Sequence, residues 1–235
     1  MSLLSTRGLS KSFAGLQAVQ NVDFDLPEGQ IRALIGPNGA GKTTLVGMLC
    51  GRIQPTSGSV SFAGCDISHL PAHKRINLGM AYTFQITSVF ANLSVNENVA
   101  LAARRRLKGP EVAQHVLAAL EKVDLQDRLE QCAGDLSYGH QRLLEIAMGL
   151  VQDPRLLILD EPTQGLADSE IDAFKALIRG LAAKTTILLI EHNMSVVMET
   201  ADMVSVLNFG QILAEGTPDE IHANADVQAA YLGTG

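Results

Sequence analysis

Nine consecutive residues, Gly36-Pro37-Asn38-Gly39-Ala40-Gly41-Lys42-Thr43-Thr44, have the types and spacing to hold a phosphate chain. Three glycines let successive backbone N–H groups turn into one concavity, and Lys42 adds a full positive charge to it. The Thr43 hydroxyl stands where it can coordinate the Mg²⁺ that accompanies a nucleoside triphosphate, with Thr44 as a phosphate-side neighbour. Further along, Asp160 and Glu161 end one apolar run, and Glu191-His192 ends another. Carboxylates in such places can hold a metal or orient a water, and a histidine can move a proton near neutral pH. Gln85, with both donor and acceptor groups, closes a third run. Ser137 and Gly139 precede a helical pattern and offer a hydroxyl and bare N–H groups at a helix N-terminus; the plain alternative for Ser137 is an N-cap. Phe13, upstream of the glycine loop, is either a stacking surface for a purine base or an ordinary edge-strand residue.

Those residues need elements to position them. Residues 31–35 are uniformly apolar and read as a buried strand, and residues 42–50 read as a helix, so the glycine loop sits where strand turns into helix. The helix start adds a partial positive charge. Residues 155–159 and 185–190 are apolar without alternation, as expected of parallel strands covered on both faces; residues at their carboxyl ends then face the ligand crevice. Residues 3–26 alternate instead, clearest in Val22-Asp23-Phe24-Asp25-Leu26, and read as antiparallel strands with one face in water. Residues 59–62, 80–84, 203–207 and 211–214 read as further strands, with a turn at 55–58 and a short helix over 70–77.

The texture changes over residues 86–152. Ser94-Val95-Asn96-Glu97 is a capping box opening an Ala-rich helix. Pro110 starts a second helix with Val112, Val116, Leu120 and Val123 on one face, and a third follows residues 136–141 with Leu143, Leu144, Ala147, Leu150 and Val151 as its apolar set. This block reads as a helical insertion. Pro162 and Gly165 turn the chain into another helix from Asp168. Thr217 caps one more, and residues 227–232 read as a short terminal helix.

With 235 residues, 46% hydrophobic and 18% charged, the chain is composed like one well-buried domain. Its apolar runs are strand-sized and its N-terminus has no signal-peptide pattern, so a cytosolic chain is expected. Cys50, Cys65 and Cys132 have no paired spacing and read as free thiols. A net charge of −7 disfavours a broad nucleic-acid surface. The one basic cluster, Arg104-Arg105-Arg106 with Lys108, reads as a solvated helix end or a contact for a partner or lipid headgroups.

With glycine loop, Gln85, residues 136–141, Asp160-Glu161 and His192 in this order, the chain resembles the nucleotide-binding subunit of ATP-binding cassette (ABC) transporters over essentially its whole length. The resemblance implies an α/β fold: a P-loop NTPase cassette with a RecA-like parallel sheet core, an N-terminal antiparallel β subdomain and a helical subdomain. The core would cover about 1–85 and 153–235, the helical subdomain about 86–152. It implies ATP and Mg²⁺ as cofactors. Phe13 would stack on adenine and residues 36–44 would be the Walker A loop. Gln85 would be the Q-loop residue, Ser137 and Gly139 part of the signature, and Asp160 a magnesium residue beside Thr43 and Gln85. Glu161 would be the base, residues 165–168 the D-loop and His192 the switch histidine. Two departures stand out: Tyr138 and His140 in the signature Leu-Ser-Tyr-Gly-His-Gln, and a D-loop without the common Ser-Ala-Leu-Asp form.

Tyr82-Thr83-Phe84-Gln85, Ile190-Glu191-His192 and the ending Ala230-Tyr231-Leu232-Gly233 look most like the Liv-type importers of branched-chain amino acids, with urea and short-amide importers and the lipopolysaccharide-export ATPase as alternatives. The implied partners are transmembrane permease subunits, a second ATPase subunit, identical or not, and a periplasmic solute-binding protein, with the chain peripheral on the inner face of the cell membrane. A soluble cassette acting on nucleic acid or ribosomes fits less well, because the chain has neither coiled-coil arms nor a tandem cassette and is acidic. A non-hydrolysing regulator conflicts with Glu161. The loop at Ser88, Val89 and Phe90 reads either as a permease-docking surface or as core packing.

Overall fold

The computed structural model describes residues 2–83 and 88–232. Strands β1 (Ser2–Phe13) and β2 (Leu16–Pro27) form an antiparallel hairpin in which Val19, Val22, Phe24 and Leu26 are buried, as the alternation predicts. A five-residue strand, β3 (Ile31–Ile35), belongs to a different sheet. After helix α1 (Lys42–Leu49), β4 (Ser57–Phe62) pairs with β1, and the short β5 (Cys65–Asp66) with β4, giving sheet order β2-β1-β4-β5. Ser57 and Gly58, read as part of a turn, are the first residues of β4 because Ser10 of β1 pairs with Ser57.

The second sheet holds the site. Helix α2 (Ala72–Asn77) leads to β6 (Met80–Thr83), and beyond the helical block come β7 (Leu156–Asp160), β8 (Thr186–Ile190), β9 (Met203–Asn208) and β10 (Gln211–Gly216). The order is β10-β9-β3-β8-β7-β6, with every pair parallel except β9 with β10. Every residue of β3, β7 and β8 is buried. Period-2 geometry divides their side chains between two cores. Leu157, Leu159, Ile187 and Leu189 pack with the helices on one face, and Leu156, Ile158, Leu188 and Ile190 pack with α1 and the antiparallel sheet on the other.

The block from residue 88 to 152 contains three mutually packed helices, α3 (Val95–Ala103), α4 (Glu111–Lys122) and α5 (Tyr138–Leu150). The capping box at Ser94 forms as expected: Ser94 accepts from the Glu97 N–H and Glu97 accepts from the Ser94 N–H. The expected apolar face of α4 is buried, whereas Leu143 of α5 is only half-buried beside a cavity. The last elements are α6 (Asp168–Ala182), α7 (Met194–Thr200), α8 (Pro218–His222) and α9 (Ala225–Leu232). Helix α7 has no counterpart in the sequence reading; Asn193 caps it by accepting from the N–H groups of Ser195 and Val196. Arg104, Arg105 and Arg106 are exposed at the end of α3, where Arg105 and Arg106 donate to the carbonyls of His73 and Gln152. The three cysteines are unpaired thiols.

Candidate active site

Because β3, β8 and β7 are neighbours and parallel, their carboxyl ends lie side by side. The glycine loop leaves β3, Glu191-His192 leaves β8, and Asp160-Glu161 leaves β7, so residues more than a hundred positions apart meet at one edge. A cavity of about 500 Å³ opens there, lined by residues 38–44 of the loop and by Glu161 and His192. Residues 16–18, Gln20, Phe209 and Gly210 complete its wall.

The loop is held by close backbone approach. At Gly36 (φ 152°) a Cβ would lie 2.1 Å from the Leu207 carbonyl oxygen, and at Gly41 (φ 102°) 2.4 Å from that of Ala18, so no side chain fits at either position. The β9–β10 turn braces the loop from outside: the Gly210 N–H donates to Ala40 and its carbonyl accepts from the Gln20 N–H, both at 2.8 Å. Lys42 is 7% exposed and arches back to donate to the carbonyls of Gly36 (2.7 Å) and Pro37 (3.1 Å). Burial lowers the pKa of its ammonium, while the charges of Glu161 and Asp160 work the other way. Thr43 and Thr44 follow on the first turn of α1 and line the cavity.

Asp160 is buried, and its Oδ2 accepts a 2.7 Å hydrogen bond from the Tyr82 hydroxyl. Arg52 donates to that hydroxyl at 3.0 Å and lies over the Tyr82 ring, 5.2 Å from its centroid. Burial raises the Asp160 carboxyl above its ordinary range, and the Tyr82 hydrogen bond opposes the rise. Glu161 is next in the chain but faces the cavity, its Oε1 2.9 Å from His192 Nε2. Its backbone is left-handed (φ 48°), an uncommon conformation for a residue with a side chain. Glu191 is a buried anchor: its carboxylate accepts from the N–H and hydroxyl of Thr163 (3.1 and 2.5 Å) and from the N–H groups of His192 and Asn193 (2.9 and 3.1 Å). This ties the turn after Glu161 to the segment carrying His192.

Among the described residues no group of three His, Cys, Asp or Glu could cage a metal. A hydroxyl and a carboxylate, Thr43 and Asp160, are the hard oxygen donors that suit Mg²⁺, which uses one or two protein oxygens and completes its shell with phosphate and water. Gln85, the third expected metal contact, lies outside the described residues.

Other expected site residues stand apart from this cavity. Phe13 is 45% exposed, with the Lys11 ammonium 4.9 Å from its ring centroid, and does not line the wall. Ser137 caps α5: its Oγ accepts from the His140 N–H at 3.3 Å and lies 2.9 Å from His140 Nδ1, so the plain N-cap is realised, with the residue exposed. Gly139 is buried under Glu170; a Cβ there would lie 2.3 Å from Glu170 Oε1. Tyr138, the unusual signature residue, packs against Gly165, where a Cβ would be 3.1 Å from its ring.

Sequence reading missed Tyr82 as a partner of the Asp160 carboxylate, Arg142 as a partner of the Asp160 and Glu161 backbone carbonyls, Glu191 as an anchor, and the Phe209-Gly210 turn as part of the wall. The turn left one signal in the sequence, Gly210 between two runs read as strands, and in the structure both its residues have positive φ, the mark of a tight hairpin. Tyr82 and Arg142 act over 78 and 18 positions, and no local pattern announces them.

Comparison with known proteins agrees with this geometry. The family model described as ABC transporter matches residues 19–164, and that of the branched-chain amino acid ATP-binding cassette transporter matches residues 211–235. The chain is 41% identical to the high-affinity branched-chain amino acid transport ATP-binding protein BraF of Pseudomonas aeruginosa and 39% identical to LivG of Escherichia coli K12, covering 98% of each chain in both cases. The ATP-binding cassette MJ1267 in its ADP conformation superposes with a TM-score of 0.93 at 27% identity over 99% of each chain. The dimeric cassette MJ0796 shares the fold, with a TM-score of 0.82 at 21% identity over 92% of this chain and 98% of that one.

Proposed function

The chain belongs to the ABC transporter family as one of its ATP-hydrolysing cassettes, and from that premise we propose that it powers an importer of branched-chain amino acids. Its catalytic core would be residues 1–85 and 153–235, with 86–152 as a helical arm. In this reading the loop N–H groups and Lys42 hold the β and γ phosphates, Lys42 turning from its carbonyl partners toward the nucleotide. Thr43, Gln85 and Asp160 are the residues that would hold Mg²⁺, whose chemistry there is neutralisation of charge on the phosphate oxygens. Glu161 accepts a proton from water aligned with the γ phosphorus, and His192 holds the Glu161 carboxylate in place. Phe13 stacks on the base. Ser137 and Gly139 meet the γ phosphate of a second cassette, identical or not, so that two chains enclose the nucleotide.

The partners in this reading are permease subunits at the inner face of the membrane and a periplasmic solute-binding protein. Among the described residues no helix is long and apolar enough to cross a membrane, so the passage for solute would have to come from the permease. The observation that carries the choice of solute is the likeness to BraF and LivG along nearly the whole chain, joined by the separate match of residues 211–235. The test is reconstitution in proteoliposomes with permease subunits and a solute-binding protein from the same organism. ATP-dependent uptake of labelled leucine is expected. Uptake of urea or a short amide instead would reassign the solute, and no permease association at all would remove the coupling role.

A further inference from the structure

One hold on the Glu161 backbone comes from the helical block. Arg142, 2% exposed in the first turns of α5, donates through Nη2 to the Asp160 carbonyl at 2.9 Å and to the Glu161 carbonyl at 3.0 Å. Its Nη1 is paired at 2.8 Å with Glu145, itself almost completely buried. A buried guanidinium needs such a countercharge, and a planar fork can serve a carboxylate on one side and two carbonyls on the other. The Glu161 carbonyl belongs to one peptide and the Asp160 carbonyl to the one before it, by which the chain leaves β7 and enters a left-handed conformation. The opposite side of that peptide is fixed to β8, since the Glu161 N–H donates to the Ile190 carbonyl at 2.9 Å. Glu161 is thus clamped between the sheet and α5, and an uncommon backbone conformation persists only where its surroundings over-determine it.

Ser137, the N-cap of α5, lies five residues before Arg142, or about 7–8 Å along the axis. Over so short a distance a helix moves as a rigid piece. We propose that Arg142, neutralised by Glu145, is a positioning residue that holds Glu161 in its working conformation and makes that conformation depend on the placement of the Ser137 end of α5. Contact of Ser137 with a nucleotide on a second chain is then felt at the base of this chain, 24 residues later in sequence but about one and a half helix turns and a guanidinium away. The inference rests on the reading of Glu161 as the base.

Two variants test it. Arg142→Lys keeps the charge beside Glu145 but replaces the fork by a single ammonium. The double substitution Arg142→Met with Glu145→Met removes both buried charges at similar volume, a change cores tolerate, and leaves the two carbonyls without Arg142. Both are compared with wild type and with Glu161→Gln for binding of a fluorescent ATP analogue, ATP-driven dimer mass, steady-state hydrolysis and amide exchange over residues 160–166. Expected for both variants are unchanged nucleotide binding and dimer formation, KM within about twofold, kcat lower by about 10- to 100-fold, and faster exchange confined to 160–166. Turnover within twofold of wild type in folded protein overturns the clamp, as does a parallel loss of binding, dimerisation and turnover, which a merely structural pair would give. If Glu161→Gln itself hydrolyses ATP at the wild-type rate, the base reading falls and the clamp falls with it; a slow Glu161→Gln beside fast Arg142 variants sinks the clamp alone.

Discussion

At the start of α1 a single chain has already gathered loop, lysine, two carboxylates and a histidine, whereas the start of α5 offers Ser137 and Tyr138 to solvent and keeps Gly139 under Glu170. Both are helix N-termini able to meet an anion. The first is organised from within: Lys42 and Glu161 have partners in the same chain, and the loop is braced by β2 and the β9–β10 turn. The second is satisfied only locally, by its own helix through His140. In the proposed reading one end supplies chemistry and the other a surface for a second cassette to complete. Breaking the two ends should give different phenotypes.

The largest effects belong to the preorganised end. Lys42→Ala removes the one full positive charge in the loop and should weaken ATP binding itself, by about tenfold or more for a charge-assisted contact in a buried site. Glu161→Gln keeps the shape and the His192 contact but loses the carboxylate, so binding should persist while turnover falls by roughly 10²-fold or more. Nucleotide titration and steady-state hydrolysis separate the two stages. Near-normal turnover of Glu161→Gln would remove it from the role of base.

At the exposed end, Ser137→Arg should leave nucleotide binding by one chain intact but prevent two chains from closing on ATP. In the slow Glu161→Gln background, MgATP is expected to drive a dimer on size exclusion with light scattering, since a ligand bound in the interface stabilises the assembly. Adding Ser137→Arg should return it to monomer. A dimer that survives the arginine would mean that the start of α5 is not the closing surface.

How much of this contrast could be read in sequence follows from its physics. Strands β3, β7 and β8 announce themselves because a strand buried on both faces loses its alternation, and the carboxyl end of a parallel strand is where a ligand sits. That puts Lys42, Asp160, Glu161 and His192 just beyond strand ends from the apolar pattern, whereas their individual roles are what the family resemblance implies. Their supports are a different matter. Arg142 is a polar residue on an amphipathic helix, and nothing in the pattern separates it from exposed Arg106; only the fold brings it to two carbonyls. Helix α7 is seven residues long and too short for its period to register. Phe13, an aromatic upstream of the loop, is easy to find in sequence, and it lies half-exposed beside Lys11.

Tyr82 sharpens the comparison by a smaller step, because it acts on the preorganised end through Asp160. Its hydroxyl occupies Oδ2, leaving the carboxylate oriented by Arg52 and Tyr82 together. Loss of an outer partner of a metal-binding carboxylate typically costs 10- to 100-fold in metal affinity. Tyr82→Phe is expected to need about tenfold more Mg²⁺ for half-maximal hydrolysis, with ATP binding in excess chelator unchanged. An unaltered Mg²⁺ requirement would assign Tyr82 to packing.

The smallest effect on the isolated chain, and the one that tests the open side as a partner surface, concerns Phe90. Sequence alone left this loop between docking and core packing; Val89 is half-buried against the helical core, while Phe90 is 55% exposed. Its exposure is not looseness of the backbone. Buried Asn98 accepts from the Phe90 N–H at 2.8 Å and donates to the carbonyls of Phe90, Leu93 and Ser94, so the loop is pinned while the ring points out. A fixed, exposed aromatic costs little entropy to bury against a partner and is the kind of residue that anchors an interface. In sequence it follows Gln85, a proposed Mg²⁺ residue, by five positions. Phe90→Ala and Phe90→Asp should therefore leave ATP binding and folding of the isolated chain unchanged, since no core contact is lost, yet weaken co-purification with the permease or uncouple hydrolysis from uptake in proteoliposomes. Asp should be the more severe, because it adds a charge to be desolvated where Ala only removes area. If both variants assemble and transport like wild type, the permease docks elsewhere, and the exposed side of the molecule is an interface for the second cassette alone.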